Sequence, residues 1–401
     1  MGGLLRYYTC LKMVTPRSKE INDMKKVLAL LIAAVLILSL AGCGNSTANT
    51  NSNANTNSQN NTSNEVPVPA TRTVTDVLGR KVEIPAQVDK IVALSSAARF
   101  IVYAGAADKI VGLSELEMKG DPGMPFAYAK HSIFEKCTAV SSGGSGDTFY
   151  DEQLAVLDAD VIIILTSEAA KADEIQKQYE KPVIAVYANG FLDKQFIDSL
   201  KIIGDVAGTA EQADKVCKAI QGWIDDLSAR TKDIPEDKKP AVYNGGMGFR
   251  GPHGFEGTSA KYPPFMAVNI KNVADETGEK GAFLVDLEKV TVWDPDIIFL
   301  NPSNMYLVNE DYAKNAAFYD NLRAVKEGKL YSQVSFNYFS TNMELAIADA
   351  YYAGIIVYPE QFAGVDFNQK AEEIFKTMVG MEYLKVLDDA GIGFGPIKIG
   401  Q

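Results

Sequence analysis

The apolar positions between residues 71 and 205 gather into short β-branched runs: KIVALS at 90–95, KIVGLS at 109–114, DVIIIL at 160–165 and PVIAVY at 182–187. Helical stretches lie between them. Continuous apolar strands alternating with helices predict a parallel sheet covered on both faces. The period then changes. From Thr209 to about Lys232 the only glycine is Gly222 and there is no proline, and Val216, Ile220, Trp223, Ile224 and Leu227 recur at helical spacing. One long helix is expected here, opened by a capping box at Thr209-Ala-Glu-Gln212 and followed by a linker at Ile234-Pro235. A second α/β set comes next, with AVYN at 241–244, DIIFL at 296–300 and LYSQV at 330–334 as strands and 343–358 as a packed helix. The expected fold class is α/β: two Rossmann-like lobes with central, mostly parallel sheets, at 71–208 and 235–401, joined by one helix at 209–234.

One element is spelled twice. EQLAVLDADVIIIL at 152–165 and EKVTVWDPDIIFLN at 288–301 each run from a glutamate through a short apolar-studded helix and an Asp turn into a buried strand. Internal duplication is the simplest explanation; chance is the alternative, because this pattern is common in α/β folds.

The N-terminal region carries an address. Lys25 and Lys26 precede VLALLIAAVLILSLA at 27–41, in which only Ser39 is polar. That is a charged segment followed by an apolar one, as in a signal peptide, and shorter than the roughly 20 apolar residues of a membrane span. Leu40-Ala41-Gly42-Cys43 resembles a bacterial lipobox, which implies cleavage before Cys43 and a lipid on its thiol; an uncut signal anchor is the alternative. Translation is expected to start at Met24, and 1–42 to be signal peptide. Residues 44–64, GNSTANTNSNANTNSQNNTSN, carry no charge and no large apolar side chain. They cannot bury a core. Within a linker at 43–70 they form a tether of about 30 Å r.m.s., so the folded body is anchored to a membrane rather than spanning it.

The chain has 39 basic and 51 acidic residues. Without the six basic and two acidic residues of the leader, 33 basic stand against 49 acidic, a net charge of −16. Such acidity argues against nucleic acid or anionic lipid as the main partner. With Cys10 in the leader and Cys43 lipidated, Cys137 and Cys217 are left for a disulfide or for two separate buried thiols. No C-x-x-C indicates a zinc ribbon or redox site. His131 and His253 are the only histidines, too few for a histidine-ligated metal receptor. Gly143-Gly-Ser145-Gly-Asp147 fails the nucleophile elbow at its last position. There is no phosphate-binding G-x-x-x-x-G-K-[ST]. Gly246-x-Gly248-x-x-Gly251 runs into Pro252 instead of a helix, so it is no dinucleotide fingerprint.

TVTDVLGRKVEIP at 73–85, KIVALS, KIVGLS and the Glu152 and Glu288 units together resemble, over about 72–380, the periplasmic binding proteins of iron-siderophore, haem and cobalamin ABC importers. The resemblance implies two α/β lobes on one rigid helix, with ligand in the cleft between them. It implies no enzymatic activity and no cofactor, and an ABC permease with its ATPase as partner. It also implies that Glu152 and Glu288 dock, one per lobe, into arginine pockets of that permease; read alone, each is an ordinary acidic residue at a helix N-terminus.

The candidate ligand contacts are Arg99, Ser142, Arg250, His253, Tyr262, Phe265 and Tyr338. Tyr243 to Phe265 form a glycine-rich loop that is either a mobile surface loop or a cleft wall, where glycine lets backbone approach a ligand. Relatives usually carry an acid where SSAARF has Arg99. An arginine there favours an anionic ligand through charge-assisted hydrogen bonds, unless it pairs with a nearby carboxylate. The backbone of SSGGSG at 141–146 is a further candidate, and Tyr306 and Phe339 are weaker ones. The expected protein is a monomeric, extracytoplasmic, lipid-anchored receptor that hands a siderophore-type ferric chelate to an ABC importer. A molybdate or tungstate receptor of the same fold is the first alternative, and an extracytoplasmic enzyme is the alternative of another class.

Overall fold

The computed structural model describes residues 70–144 and 146–400. The expected signal peptide, Cys43 and all but the last residue of the linker expected at 43–70 lie outside them. No helix among the described residues is long and apolar enough to cross a membrane.

The body opens with an antiparallel hairpin, β1 (Thr71–Thr75) and β2 (Lys81–Pro85). Behind it stands a wholly parallel sheet of β3 (Ile91–Leu94), β4 (Ile110–Ser114), β5 (Thr138–Ser141), β6 (Val161–Leu165) and β7 (Val183–Val186), in the order β5-β4-β3-β6-β7. β3, β6 and β7 are apolar at every position because both faces are covered, and β3 and β7 are buried throughout. The strand order reverses between β3 and β6. At such a switch point loops diverge beyond the carboxyl ends of the strands and leave a crevice.

The second lobe repeats the plan. Its parallel sheet takes β8 (Ala241–Gly245), β10 (Lys271–Asn272), β12 (Ile297–Leu300) and β13 (Leu330–Ser332) in the order β10-β8-β12-β13, again reversing beside its first strand. A two-stranded ribbon, β9 (Gly257–Ala260) with β11 (Gly281–Leu284), lies apart. The duplicated element takes matching places. Helix α1 (Asp151–Val156) feeds β6, which pairs with β3 and β7, and helix α2 (Leu287–Trp293) feeds β12, which pairs with β8 and β13. The second Asp of each copy clamps the entry of the neighbouring strand. Asp160 accepts the amide hydrogens of Asp89 and Lys90 at 2.7 and 2.9 Å, and Asp296 accepts that of Ala241 at 2.8 Å.

The lobes share one helix, Ala210–Thr231, which buries Val216, Ile220, Trp223 and Leu227 as its spacing requires. The expected capping box is absent. The preceding helix, Lys194–Ala207, ends at Gly208 in the left-handed conformation (φ 71°), and Thr209 donates its amide back to Gly204 O at 2.8 Å. That closure commits Thr209 to the earlier helix, so its hydroxyl caps nothing and is buried without a partner. Cys137 and Cys217 are free thiols. The main apolar core runs without interruption from the first lobe, under the shared helix, to the helix Met343–Val357 of the second.

Candidate functional site

The carboxyl ends of both sheets open onto a cavity of about 220 Å³ between the lobes. Phe100, Leu165, Asn189 and Phe191 come from the first lobe, following β3, β6 and β7. Pro263, Phe336, Asn337, Ser340, Thr341 and Met343 come from the second, mostly from the segment after β13. None of the lining residues carries a formal charge. The polar groups among them are amides, hydroxyls and backbone.

Two pairs of left-handed residues follow strands that point at the cavity. Ser95 and Ser96 (φ 52° and 68°) follow β3, and Phe339 and Ser340 (φ 50° and 81°) follow β13. Non-glycine residues in this region are disfavoured by about 1–3 kcal/mol each and persist where their surroundings over-determine them, often at ligand sites. Gly144 meets the second pair: a Cβ there would lie 2.8 Å from the Phe339 ring.

Arg99 lies in the helix Ala98–Tyr103, directly after the strained serines, and is 1 % exposed. Its guanidinium reaches across to the other lobe. It donates to Asn342 Oδ1 at 3.3 Å and to the carbonyl of Phe339, and it stacks over the Phe126 ring at 4.8 Å. Nε has no partner. No carboxylate forms an ion pair with Arg99 among the described residues. Burial pulls its pKa down, opposed by the fields of Tyr103, Glu117 and Glu344. Both glutamates are themselves buried, and burial pushes each carboxyl above its usual range. The cation is therefore incompletely matched.

Other contacts seal the same side of the cleft. The Tyr103 hydroxyl donates to Glu344, Asn342 Nδ2 donates to Gly123 O at 3.3 Å, and the Tyr383 hydroxyl donates to Pro122 O at 2.9 Å. Tyr338, half-buried, donates to Asp121 at 3.4 Å.

The other candidates fall elsewhere. Ser142 closes its own loop by accepting the amide of Thr148 at 3.0 Å. Tyr262 and Phe265 are 1 % exposed and pack on each other in the core, ring centres 5.0 Å apart, behind the cavity-lining Pro263. Arg250 is exposed. His253 lies against the Phe249 ring and lines a separate depression of the second lobe with Glu256, Glu310, Asp311 and Lys314. The expected contacts are thus not brought into one set. Arg99 and Tyr338 reach the lobe junction, while Arg250 and His253 do not line the cavity. No sequence pattern distinguishes Asn189, Asn337, Ser340 and Thr341; their signal is position, in the loops that follow β7 and β13. Glu152 and Glu288 are exposed, each in the first turn of its copy of the repeated helix.

Residues 88–333, spanning both lobes and the helix between them, match the periplasmic binding protein family. The chain belongs to that family. This binding protein is thus a solute receptor of an ABC importer and not an enzyme, and members of its family work outside the cytoplasmic membrane. It is similar to the molybdate-binding protein MolA of Haemophilus influenzae, at 24 % identity over 340 residues, covering 78 % of this chain and 92 % of the relative. The MolA structure with molybdate superposes with a TM-score of 0.60. A periplasmic solute binding protein from Veillonella parvula gives 0.65 at 18 % identity, covering 80 % of this chain and 97 % of the other. The TroA-like binding protein FepB from the same species gives 0.62 at 21 %, covering 81 % and 99 %.

Proposed function

We propose that this binding protein delivers a small oxyanion of the molybdate class to its importer. The observation that carries the reading is the pairing of a small, partly open cavity with a buried guanidinium that has no carboxylate ion pair among the described residues. A space of about 220 Å³ is smaller than the roughly 300–1,000 Å³ of sites for drug-sized ligands, and a siderophore chelate is larger than such ligands. A tetrahedral oxyanion fits. Arg99 supplies the positive charge behind the 336–342 segment, and Asn189, Asn337, Ser340 and Thr341 supply neutral donors on the cavity wall. Tyr338 holds the closed lobes together. The relative MolA is named for binding molybdate, which favours the same class. A ferric chelate, which the sequence resemblance implies, is the second reading; it requires more room between the lobes than this cavity gives.

The same reading takes Cys43 as the lipid-bearing residue, 1–42 as a removed signal peptide and 43–70 as a tether. It takes Glu152 and Glu288 as permease contacts, one per lobe. Thermal melting of the purified body tests the ligand. Molybdate or tungstate should raise the melting temperature by mass action, while ferric chelates, haem and cobalamin should leave it unchanged. A shift with a ferric chelate and none with either oxyanion overturns the proposal in favour of the second reading.

A further inference from the structure

Val156 and Val292 are each 83 % exposed, and no other large apolar side chain among the described residues exceeds 60 %. A single exposed valine is ordinary. These two occupy the same position of the internal repeat, four residues after Glu152 and four after Glu288. One helical turn puts Glu and Val side by side on one face. The inward position between them is buried in both copies, as Leu154 and Val290.

Comparing the copies separates internal from external demands. The paired positions Gln153/Lys289 and Ala155/Thr291 are exposed and differ between the lobes. Asp158 and Asp294 are alike, but each has an internal partner, Lys90 and Arg323 respectively. Glu and Val are the exposed residues of the two helices that repeat without any ion pair or packing partner to account for them. Valine is also a mediocre helix former, so folding gives no reason to keep it there twice.

We infer that Glu152 with Val156, and Glu288 with Val292, form two equivalent docking patches for the ABC permease, each an acidic side chain beside an apolar knob. The fitting partner offers two like sockets, each an apolar recess rimmed by cationic side chains. A second copy of this chain would oppose acid to acid, and an anionic lipid surface attracts basic segments, not acidic ones. The inference rests on the reading of the two glutamates as permease contacts and adds the apolar half of each contact.

A photo-cross-linking residue placed at 156 and, separately, at 292 in intact cells identifies what covers each patch. Both positions should yield adducts with the same multi-span permease. Binding of purified variants to that permease and its ATPase in nanodiscs then separates the two halves. The pair Val156→Ser and Val292→Ser should weaken association roughly tenfold or more, equally at low and high salt, with melting temperatures near wild type. The pair Glu152→Gln and Glu288→Gln should weaken it mainly at low salt, where charge steering operates. If the glutamate pair weakens binding and the valine pair does not, the docking reading stands and the apolar contact is overturned. Normal binding by both pairs removes the docking reading and this inference together.

Discussion

Arg99 concentrates the chemistry of the cleft in one side chain. Its hydrogen bonds to Asn342 and Phe339 tie the first lobe to the wall of the cavity, and its unmatched charge makes that wall attractive to an anion. Arg99 lines no part of the cavity, so it acts on an anion through the Phe339 carbonyl and Asn342 that it holds, an indirect effect at the low end of a charge-assisted bond, about 1.5 kcal/mol, or roughly tenfold in Kd. Arg99→Ala is expected to weaken molybdate by that factor in calorimetric titration. Arg99→Lys should recover only part, because a lysine lacks the planar fork. If both variants melt earlier yet bind molybdate as wild type does, Arg99 is a clasp between lobes and nothing more. The sequence showed that an arginine stands in an unusual place; it could not show that its hydrogen-bond partners are Phe339 and Asn342, more than two hundred positions away. Tyr262 and Phe265 failed as contacts for a related reason. Aromatic rings beside a glycine-rich loop serve a cleft or a core equally well until the neighbouring helix is known.

At the scale of elements, seven of the nine parallel strands among the described residues were legible because burial on both faces writes consecutive apolar residues; β5 (TAVS) and β10 (KN) are too short and too polar to show it. Ribbon β9–β11 was not, since GTSA and GAFL carry small or mixed side chains without a period. The capping box misled because local spacing is blind to Gly208 closing the preceding helix. The helix Met343–Val357 was plain from its apolar density, yet it hides two carboxyls, Glu344 and Asp349. Asp349 accepts the amide of Val334 at 3.0 Å through one oxygen, and the other has no partner. Burial raises its pKa well above the usual value. The folded chain therefore holds a proton that the unfolded chain releases near pH 4. Above that pH, ionisation favours the unfolded state, so Asp349 withdraws stability as pH rises towards its folded pKa. Asp349→Asn keeps the acceptor and cannot ionise. Its melting temperature relative to wild type should climb as the pH rises above the unfolded carboxyl's pKa of about 4. A difference independent of pH would show that the carboxylate is ionised throughout and compensated.

The whole molecule is two copies of one plan around a shared helix. The duplicated helix–Asp–strand unit made both lobes and both glutamates visible in sequence. The cavity was not visible, because it exists only where loops from β3, β6, β7 and β13 converge. What occupies that convergence decides between an oxyanion receptor and a chelate receptor. A crystal structure grown with tungstate locates the anion directly, since tungsten's anomalous signal marks its position. One peak is expected between the lobes, within hydrogen-bonding distance of the 336–342 segment and on its Arg99 side. A peak in the His253 depression, or a cleft that stays empty while a ferric chelate fills it in a parallel crystal, would contradict the account.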